Sequence, residues 1–180
     1  MDLQPLHLAN ERVQLLPLKE SDFEDLYAVA SDPLIWEQHP NPDRYKRDVF
    51  LVYFRGAMES LGAFLIRDLQ TGKIAGSSRY YDYNAESGEV KIGYTFFSRE
   101  CWGGSVNPAV KRLMIDHAFR YVGSVFFEVG ATNIRSQKAM ERLGAVKTGE
   151  RAVAYYGEPP KINFIYRIDK ADWEHNAPAG

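Results

Sequence analysis

The stretch EVKIGYTFFSRECWGGSVN, residues 89–107, decides how this chain folds. Apolar residues alternate with more polar ones across Glu89–Phe97, which is the pattern of a strand with two different faces. Gly103 and Gly104 follow, and Pro108 suits the first turn of a helix because it has no amide to leave unpaired. The stretch therefore predicts a strand, a glycine-containing loop and a helix in succession.

A loop that leads into a helix exposes unpaired amides at the positive end of the helix dipole. Such a site binds phosphate without a basic side chain, and glycine lets the backbone approach the anion closely. A plain tight connection would use the same residues. The stretch alone therefore leaves two interpretations open, a ligand site and a simple turn.

The chain on either side of this stretch has the pattern of an α/β domain. Further strands are predicted at residues 12–18, 63–69, 74–83, 124–129, 146–155 and 161–168. Helices are predicted after a capping box at residues 21–24, from residue 42 to about 60, from 106 to about 120, and after Asn133 to residue 143. Short turns join the strands between residues 63 and 97, so these strands should form an antiparallel meander.

Composition limits the classes of function that this chain could have. The 180 residues are 45% hydrophobic and 26% charged, which fits one domain over residues 1–180, with a core at about 12–173 and a loose end at 176–180. The net charge of −2 argues against nucleic-acid binding, and no apolar run is long enough to span a membrane. One cysteine and scattered histidines give neither a disulfide framework nor metal-ligand spacing. We therefore expect a cytoplasmic protein without a metal or a signal peptide.

A second informative stretch is EVGATNIRSQKAMERLGA, residues 128–145. A capped amphipathic helix after a buried strand explains Asn133 at its start and Gly144 at its end. Helix packing does not explain why Arg135, Ser136 and Lys138 stand together in one turn. These polar residues make the start of this helix a second candidate binding element.

Together the two stretches resemble the GNAT acyltransferase superfamily, and within it the branch that includes the N-terminal acetyltransferases of ribosomal proteins. The resemblance rests on Ile92-Gly93-Tyr94, the Trp102-Gly103 loop, His117-Ala118-Phe119, and the run from Asn133 and Ser136 to Leu143-Gly144-Ala145. It covers nearly the whole chain. It implies a mixed, mostly antiparallel sheet flanked by helices and splayed between strands 89–97 and 124–129.

The resemblance also implies an activity: transfer of an acetyl group from acetyl-CoA directly to a primary amine, either a protein N-terminus or a small molecule. The pantetheine arm would lie in the splay, bonded to the strand backbone as an added strand, and the pyrophosphate would meet the loop amides. The cofactor-binding residues that follow are Tyr94, Thr95, Phe96, Trp102, Gly103, Gly104, Ser105, Val106, Asn107, Asn133, Arg135, Ser136 and Lys138.

Several positions depart from the family pattern. Ser105 and Asn107 stand where the loop usually has glycine or alanine. Met140 occupies the place of a tyrosine that protonates the leaving thiolate in many relatives, and Lys91 occupies the place of a glutamate. These departures keep a second hypothesis open, a CoA-binding or regulatory module of the same fold that has lost catalysis.

Two residues are predicted to take over the missing catalytic roles. Glu89, on the same strand as Lys91, is the candidate base for the acceptor amine, with a solvated carboxylate as the plainer reading. Ser136 is the candidate hydrogen-bond donor to the departing thiolate, although small polar residues also suit helix starts. Glu128 is a further carboxylate that could face the same gap.

Other readings remain at this stage. A nucleotide-binding module of the Rossmann type would need a full G-x-G-x-x-G pattern and a following acidic residue, which the loop lacks. Trp36 could line the acceptor pocket or anchor its loop. His117 fits core packing, Cys101 fits a small packing residue, and the sequence leaves a homodimer open.

Overall fold

The computed structural model describes residues 1–155 and 158–175. The loose end expected at residues 176–180 lies outside the described residues. The strands are β1 (Leu8–Ala9), β2 (Val13–Pro17), β3 (Ala63–Asp68), β4 (Ile74–Asn84), β5 (Glu89–Phe97), β6 (Ser124–Gly130), β7 (Val146–Val153) and β8 (Lys161–Asp169). The α-helices are α1 (Phe23–Ala30), α2 (Pro33–Trp36), α3 (Arg47–Glu59), α4 (Val106–Ala118), α5 (Ile134–Arg142) and α6 (Lys170–His175).

All eight described strands form one sheet, in the order β1-β2-β3-β4-β5-β6-β8-β7. Neighbouring strands are antiparallel except for β5 and β6, which are parallel. The α/β fold class, the mixed sheet and the meander β3-β4-β5 are confirmed. A parallel pair needs a crossover, and α4 provides it between β5 and β6.

Buried side chains form a separate cluster on each face of the sheet. One cluster joins α4 to β5 and β6 through residues such as Val110, Met114 and Phe127. The other joins α1 and α3 to the sheet around Trp36 and Phe50. Helices therefore cover both faces, as parallel strands require. Within the described ranges, no helix has both the length and the apolar character needed to cross a bilayer.

Local backbone chemistry changed some predicted boundaries. The helix expected from residue 42 to 60 is divided at Lys46, whose ψ of 135° is extended, so a 3-10 turn at Pro42–Tyr45 precedes α3. The capping box expected at residues 21–24 is wrong. Instead the Asp22 carboxylate accepts from the Lys19 amide at 2.8 Å, and so caps a 3-10 turn one step earlier. Asp32 ends the first helix as expected but also caps the short helix α2.

Candidate active site

The sheet opens between β5 and β6. Only Glu89, Val90 and Lys91 pair with β6, opposite Ser124 to Phe126. Beyond Lys91 the two strands separate and enclose a cavity of about 270 Å³. Its walls are the open part of β5, the second half of β6, the start of α4 and the start of α5. Along this cavity β5 remains paired with β4, but its edge toward β6 is unpaired and is available to a ligand.

A β-bulge interrupts the pairing of β5 with β4. Ser77 pairs with Phe96 and Arg79 with Gly93, so Tyr94 and Thr95 together oppose the single residue Ser78. Tyr94 adopts a φ of 52°, a left-handed conformation that is uncommon outside glycine. The Tyr53 hydroxyl donates to the Tyr94 carbonyl and holds this conformation. Bulges are common beside active sites, where they redirect the strand, and this one lies in the part of β5 that borders the cavity.

The opposite end of the cavity is the loop before α4. Gly103 has a φ of 70°, and Ser105 is the N-cap of α4, so the amides that follow open the helix. Pro108 lies in the first turn and removes one amide that would otherwise need a partner. Asn107 lines the cavity, and its buried side-chain oxygen accepts no hydrogen bond from residues 1–155 or 158–175. The helix-start amides could donate to a phosphate, whereas the Asn107 oxygen is an acceptor that an N–H or O–H group of a ligand would satisfy.

Most predicted cofactor residues meet in this one cavity. Its lining includes Tyr94, Thr95, Phe96, Trp102, Gly103, Gly104, Asn107, Asn133, Arg135 and Ser136. These residues come from β5, the loop, α4 and α5. The two sequence stretches singled out above therefore form the two sides of the same site.

Three predicted residues lie outside the lining. The Ser105 hydroxyl accepts from Arg12 Nε at 2.9 Å and so faces away from the cavity. Val106 is 1% exposed and belongs to the core cluster under α4. Lys138 is exposed on the outer side of α5. The loop amides of Ser105 and Val106 can still contribute, but the three side chains have other surroundings.

Glu89 is not brought into the cavity. It is the first residue of β5, opposite Ser124 where the strands are still paired, and it accepts from the Ser87 hydroxyl at 3.1 Å. Tyr94 lies five positions further along the strand, roughly 16 Å away. Glu89 therefore lies at the closed end of the splay and not among the residues that line the cavity, which does not favour the predicted role as base.

Asn133 and Arg135 organise the start of α5. The Asn133 side chain accepts from the Ser136 amide at 3.1 Å and caps the helix, as predicted. The Arg135 guanidinium stacks 3.7 Å from the Trp102 ring centroid, which ties α5 to the loop before α4. The Arg135 amide donates to the Gln38 side chain at 3.1 Å. This turn thereby fixes the loop at residues 37–40 over the cavity.

Glu128 is the carboxylate that the structure does place in the cavity wall. Its side chain is 2% exposed and forms ion pairs with Lys91, at 2.8 Å, and with Arg151. The Tyr81 hydroxyl donates to it at 3.2 Å. Burial and the adjacent Glu128 carboxylate raise the pKa of Tyr81 well above its usual value. Because two cations hold Glu128, it is a rigid acceptor of hydrogen bonds at this end of the cavity.

An aromatic cluster surrounds a second buried ion pair nearby. Arg44 forms two hydrogen bonds of 2.9 Å with Glu158, and its guanidinium lies 5.7 Å from the Tyr155 ring centroid. Tyr155 in turn contacts Tyr94 edge to face, with the ring centroids 5.1 Å apart.

Trp36 donates to the Ala30 carbonyl at 2.7 Å and does not line the cavity, so it anchors its loop.

His39 also lines this end of the cavity. Desolvation, with the Arg44 and Arg135 charges, lowers the pKa of His39 to about 3, so its imidazole is neutral at pH 7. His117, by contrast, is buried beneath α4 and bonded to the Asp2 carbonyl at 2.8 Å, which fits the expected packing role. Cys101 lines the cavity, and its sulfur lies 3.2 Å from the Ser98 hydroxyl.

Sequence reasoning missed Lys111. This lysine is 4% exposed and lines the cavity, where its Nζ donates to the Thr95 hydroxyl at 2.7 Å. Desolvation lowers its pKa to about 7. The signal was present in the sequence: Lys111 shares a helical face with the apolar residues Met114, Ile115 and Ala118, where a charged residue is out of place.

A mixed sheet that splays at its parallel pair, with a helix start at one end of the splay, is the arrangement of an acyltransferase of the GNAT type. A family model described as an acetyltransferase (GNAT) domain matches residues 12–146. The chain belongs to this family and is an acetyl-CoA-dependent acyltransferase.

Solved structures share this fold across nearly the whole chain. A GCN5-related N-acetyltransferase from Brucella melitensis is 19% identical, with a TM-score of 0.78 over 93% of this chain and 80% of that one. Mycobacterium smegmatis RimJ in complex with CoA-disulfide is 15% identical, with a TM-score of 0.70 over 93% and 85%. The self-immunity acetyltransferase MccE, in complex with acetyl-CoA and AMP, is 14% identical, with a TM-score of 0.75 over 93% and 98%.

Proposed function

We propose that this protein transfers the acetyl group of acetyl-CoA directly to a primary amine whose neutral form is well populated near pH 7, as in the α-amine of a peptide or a weakly basic small amine. The observation that carries the proposal is the continuous cavity. It runs from the amides at the start of α4, along the open edge of β5, to the aromatic pocket around Glu128.

The donor end would be held chiefly by backbone. Amides of residues 103–107 would receive the pyrophosphate, and the open edge of β5 at Tyr94–Phe96 would pair with the pantetheine arm. Asn133 and Arg135 would fix the wall opposite, and Ser136 would donate a hydrogen bond to the sulfur. Acetyl-CoA supplies the acetyl group as a thioester. That RimJ and MccE were solved with CoA compounds supports this assignment.

The pocket's titratable groups favour an acceptor that needs little deprotonation. Glu128 is engaged by Lys91 and Arg151, and the low pKa of His39 makes it a weak base. An α-amine is roughly one-tenth neutral at pH 7, whereas a lysine side chain is neutral in about one molecule in a few thousand. A water molecule that carries the proton away is therefore a sufficient base for an α-amine acceptor and an insufficient one for a lysine side chain.

We also infer direct transfer in the cytoplasm rather than an acyl-enzyme route. The Cys101 sulfur has a serine hydroxyl as its hydrogen-bond partner, and a serine does not activate a thiol as a base would. A lone half-buried cysteine suits a reducing compartment.

Thiol release from acetyl-CoA tests the function with three acceptor classes: peptides with free α-amines, small primary amines, and N-terminally blocked peptides with an internal lysine. We expect release with one of the first two classes and much slower release with the third. CoA binding by calorimetry without thiol release from any class would instead support the non-catalytic CoA-binding module. Absence of CoA binding would contradict both.

A further inference from the structure

Lys111 lies where the two strands of the splay diverge. Its Nζ contacts Thr95 in the bulge of β5 and lies 5.6 Å from the centroid of the Phe127 ring on β6. It therefore bridges the two strands from beneath, within the wall of the cavity. The sulfur end of a pantetheine arm that enters from the α4 loop and follows β5 would arrive at this point.

The ammonium group has no counterion in the described part of the chain. Its hydrogen-bond partners are hydroxyl groups, Thr95 Oγ1 at 2.7 Å and Ser78 Oγ at 3.5 Å. From β4, β5 and β6 it thus meets two hydroxyls and a ring, none of which carries a charge near neutral pH. Burying a charged lysine without a carboxylate is costly, so an anion that enters the cavity and reaches Lys111 would be strongly stabilised there.

The opposite side of the bulge carries a second buried cation. Arg79 is 3% exposed and stacks 3.4 Å from the Tyr94 ring centroid. Its Nε and Nη2 have no hydrogen-bond partner among the residues that the structure describes. Arg79 does not line the cavity, whereas Lys111 does. Of the two cations that flank the bulge, Lys111 is therefore the one that can reach a ligand.

We propose that Lys111 stabilises the CoA thiolate as it leaves and supplies its proton, a role that Met140 cannot fill. The proposal rests on the acetyl transfer proposed above. As the acceptor nitrogen bonds to the acetyl carbon, the carbon–sulfur bond breaks and its electron pair stays on sulfur. A proton passes from Lys111 Nζ to that sulfur, giving the free thiol and a neutral amine. The surplus proton of the acceptor nitrogen leaves to water, and Lys111 takes a proton back from solvent.

The Lys111 ammonium and the CoA thiol have similar pKa values in this setting. A free thiol has a pKa of about 8.5, and a nearby ammonium lowers such a pKa by roughly one to three units. Desolvation lowers the pKa of Lys111 toward the same range, to about 7, so the proton moves between the two groups without a large energy gap. A serine hydroxyl can solvate the sulfur but is too weak an acid to give up its proton at neutral pH.

Binding of CoA and of desulfo-CoA, which lacks the thiol, tests the proposal without turnover. Calorimetry between pH 6 and 9.5 should show a wild-type preference for CoA over desulfo-CoA that rises from pH 6 to a maximum of roughly tenfold between the pKa of Lys111, about 7, and that of the free thiol, about 8.5, and then declines. The Lys111→Met variant should bind both ligands with a ratio that is flat across pH. Lys170→Met, on the exposed helix α6, is the matched control and should keep the wild-type ratio.

Each outcome has a distinct meaning. If neither ligand binds the wild-type protein, the proposed function itself fails. If both bind and the wild-type ratio is flat with pH, the CoA site stands and the role of Lys111 is overturned, whatever the variant does. If Lys111→Met keeps the pH-dependent ratio, Lys111 is likewise excluded.

Turnover and stability complete the test. In steady-state assays Lys111→Met should lower kcat by roughly a hundredfold with little change in the KM for acetyl-CoA. The same variant should unfold at a higher temperature than wild type at pH 7, because it removes a buried charge while Ser78 and Thr95, 2.8 Å apart, can still bond each other. A variant that loses both stability and activity would indicate a structural role and contradict the proposal.

Discussion

The two ends of the cavity are built in different ways. The proposed cofactor end is a run of consecutive residues, 102–108, which would act through backbone amides. The proposed acceptor end is a set of side chains from distant parts of the chain, with Glu128 of β6 held by Lys91 of β5 and Arg151 of β7. A site made of backbone is local in sequence, whereas a site made of side chains exists only after the sheet has formed. The two ends should therefore respond differently to substitution.

Arg44→Met should give the largest effect, and the effect should be on stability. Arg44 is 3% exposed and its partner Glu158 is 11% exposed, so removing the arginine leaves a buried carboxylate unpaired. Breaking a buried ion pair in this way costs about 3–5 kcal/mol. Urea unfolding measures the change.

The double variant Arg44→Met with Glu158→Leu is the control for this prediction. It removes both charges and should recover most of the lost stability. A single variant that unfolds like wild type would mean that the acceptor end is not part of the core.

Gly104→Asp should weaken CoA binding by more than about 2 kcal/mol, roughly 30-fold, while leaving stability nearly unchanged. A Cβ at Gly104 meets only the Cys101 carbonyl oxygen, at an ordinary contact distance of 3.6 Å. The expected loss is therefore electrostatic, because a carboxylate would stand beside the pyrophosphate.

Gly104→Ala separates charge from shape at this position. Calorimetry should give it an affinity for CoA within about twofold of wild type. Equal affinities for the aspartate variant and wild type would remove the pyrophosphate from this loop.

Ser136→Ala should lower kcat by roughly ten- to a hundredfold with little change in CoA affinity, because the hydroxyl would act on the sulfur only as charge develops there. Single-turnover transfer measures it, with Glu141→Ala on the exposed side of α5 as the matched control. Adding Met140→Tyr to the Ser136→Ala protein should restore part of the rate. Unimpaired transfer by folded Ser136→Ala would limit Ser136 to helix capping.

The same division explains what the sequence could predict. Strand alternation, the glycine loop before Pro108 and the Asn133 cap are local signals. They placed the sheet and the splay correctly, and most of the residues proposed to bind the cofactor line one cavity. The division of a helix at Lys46 depends on one backbone angle that no composition reveals. Residues of the acceptor end, such as Glu158, come from segments with no distinguishing motif. The sequence shows Lys111 as a charged residue on an apolar helix face, but its proposed role could be inferred only once the structure showed which strands it bridges.

The smallest effect on activity is expected from substitution of Glu89, and this substitution tests the distinction between the two ends of the cavity. The sequence suggested Glu89 as a base because it shares a strand with the thioester site, and a true base would contribute roughly a hundredfold or more. The structure separates the two because the splay opens only after Lys91, which leaves Glu89 at the closed end with a serine hydroxyl as its partner.

Glu89→Gln should therefore keep kcat/KM within about twofold of wild type from pH 6 to 9, with stability within about 0.5 kcal/mol. Glu128→Gln is the informative counterpart, since it removes a charge on which Lys91 and Arg151 both depend, and it should reduce kcat/KM for the acceptor while sparing CoA affinity. A pH-dependent loss confined to Glu89→Gln would mean that a carboxylate at the closed end of the splay reaches the acceptor through water, and the boundary drawn between the two ends would then have to be moved.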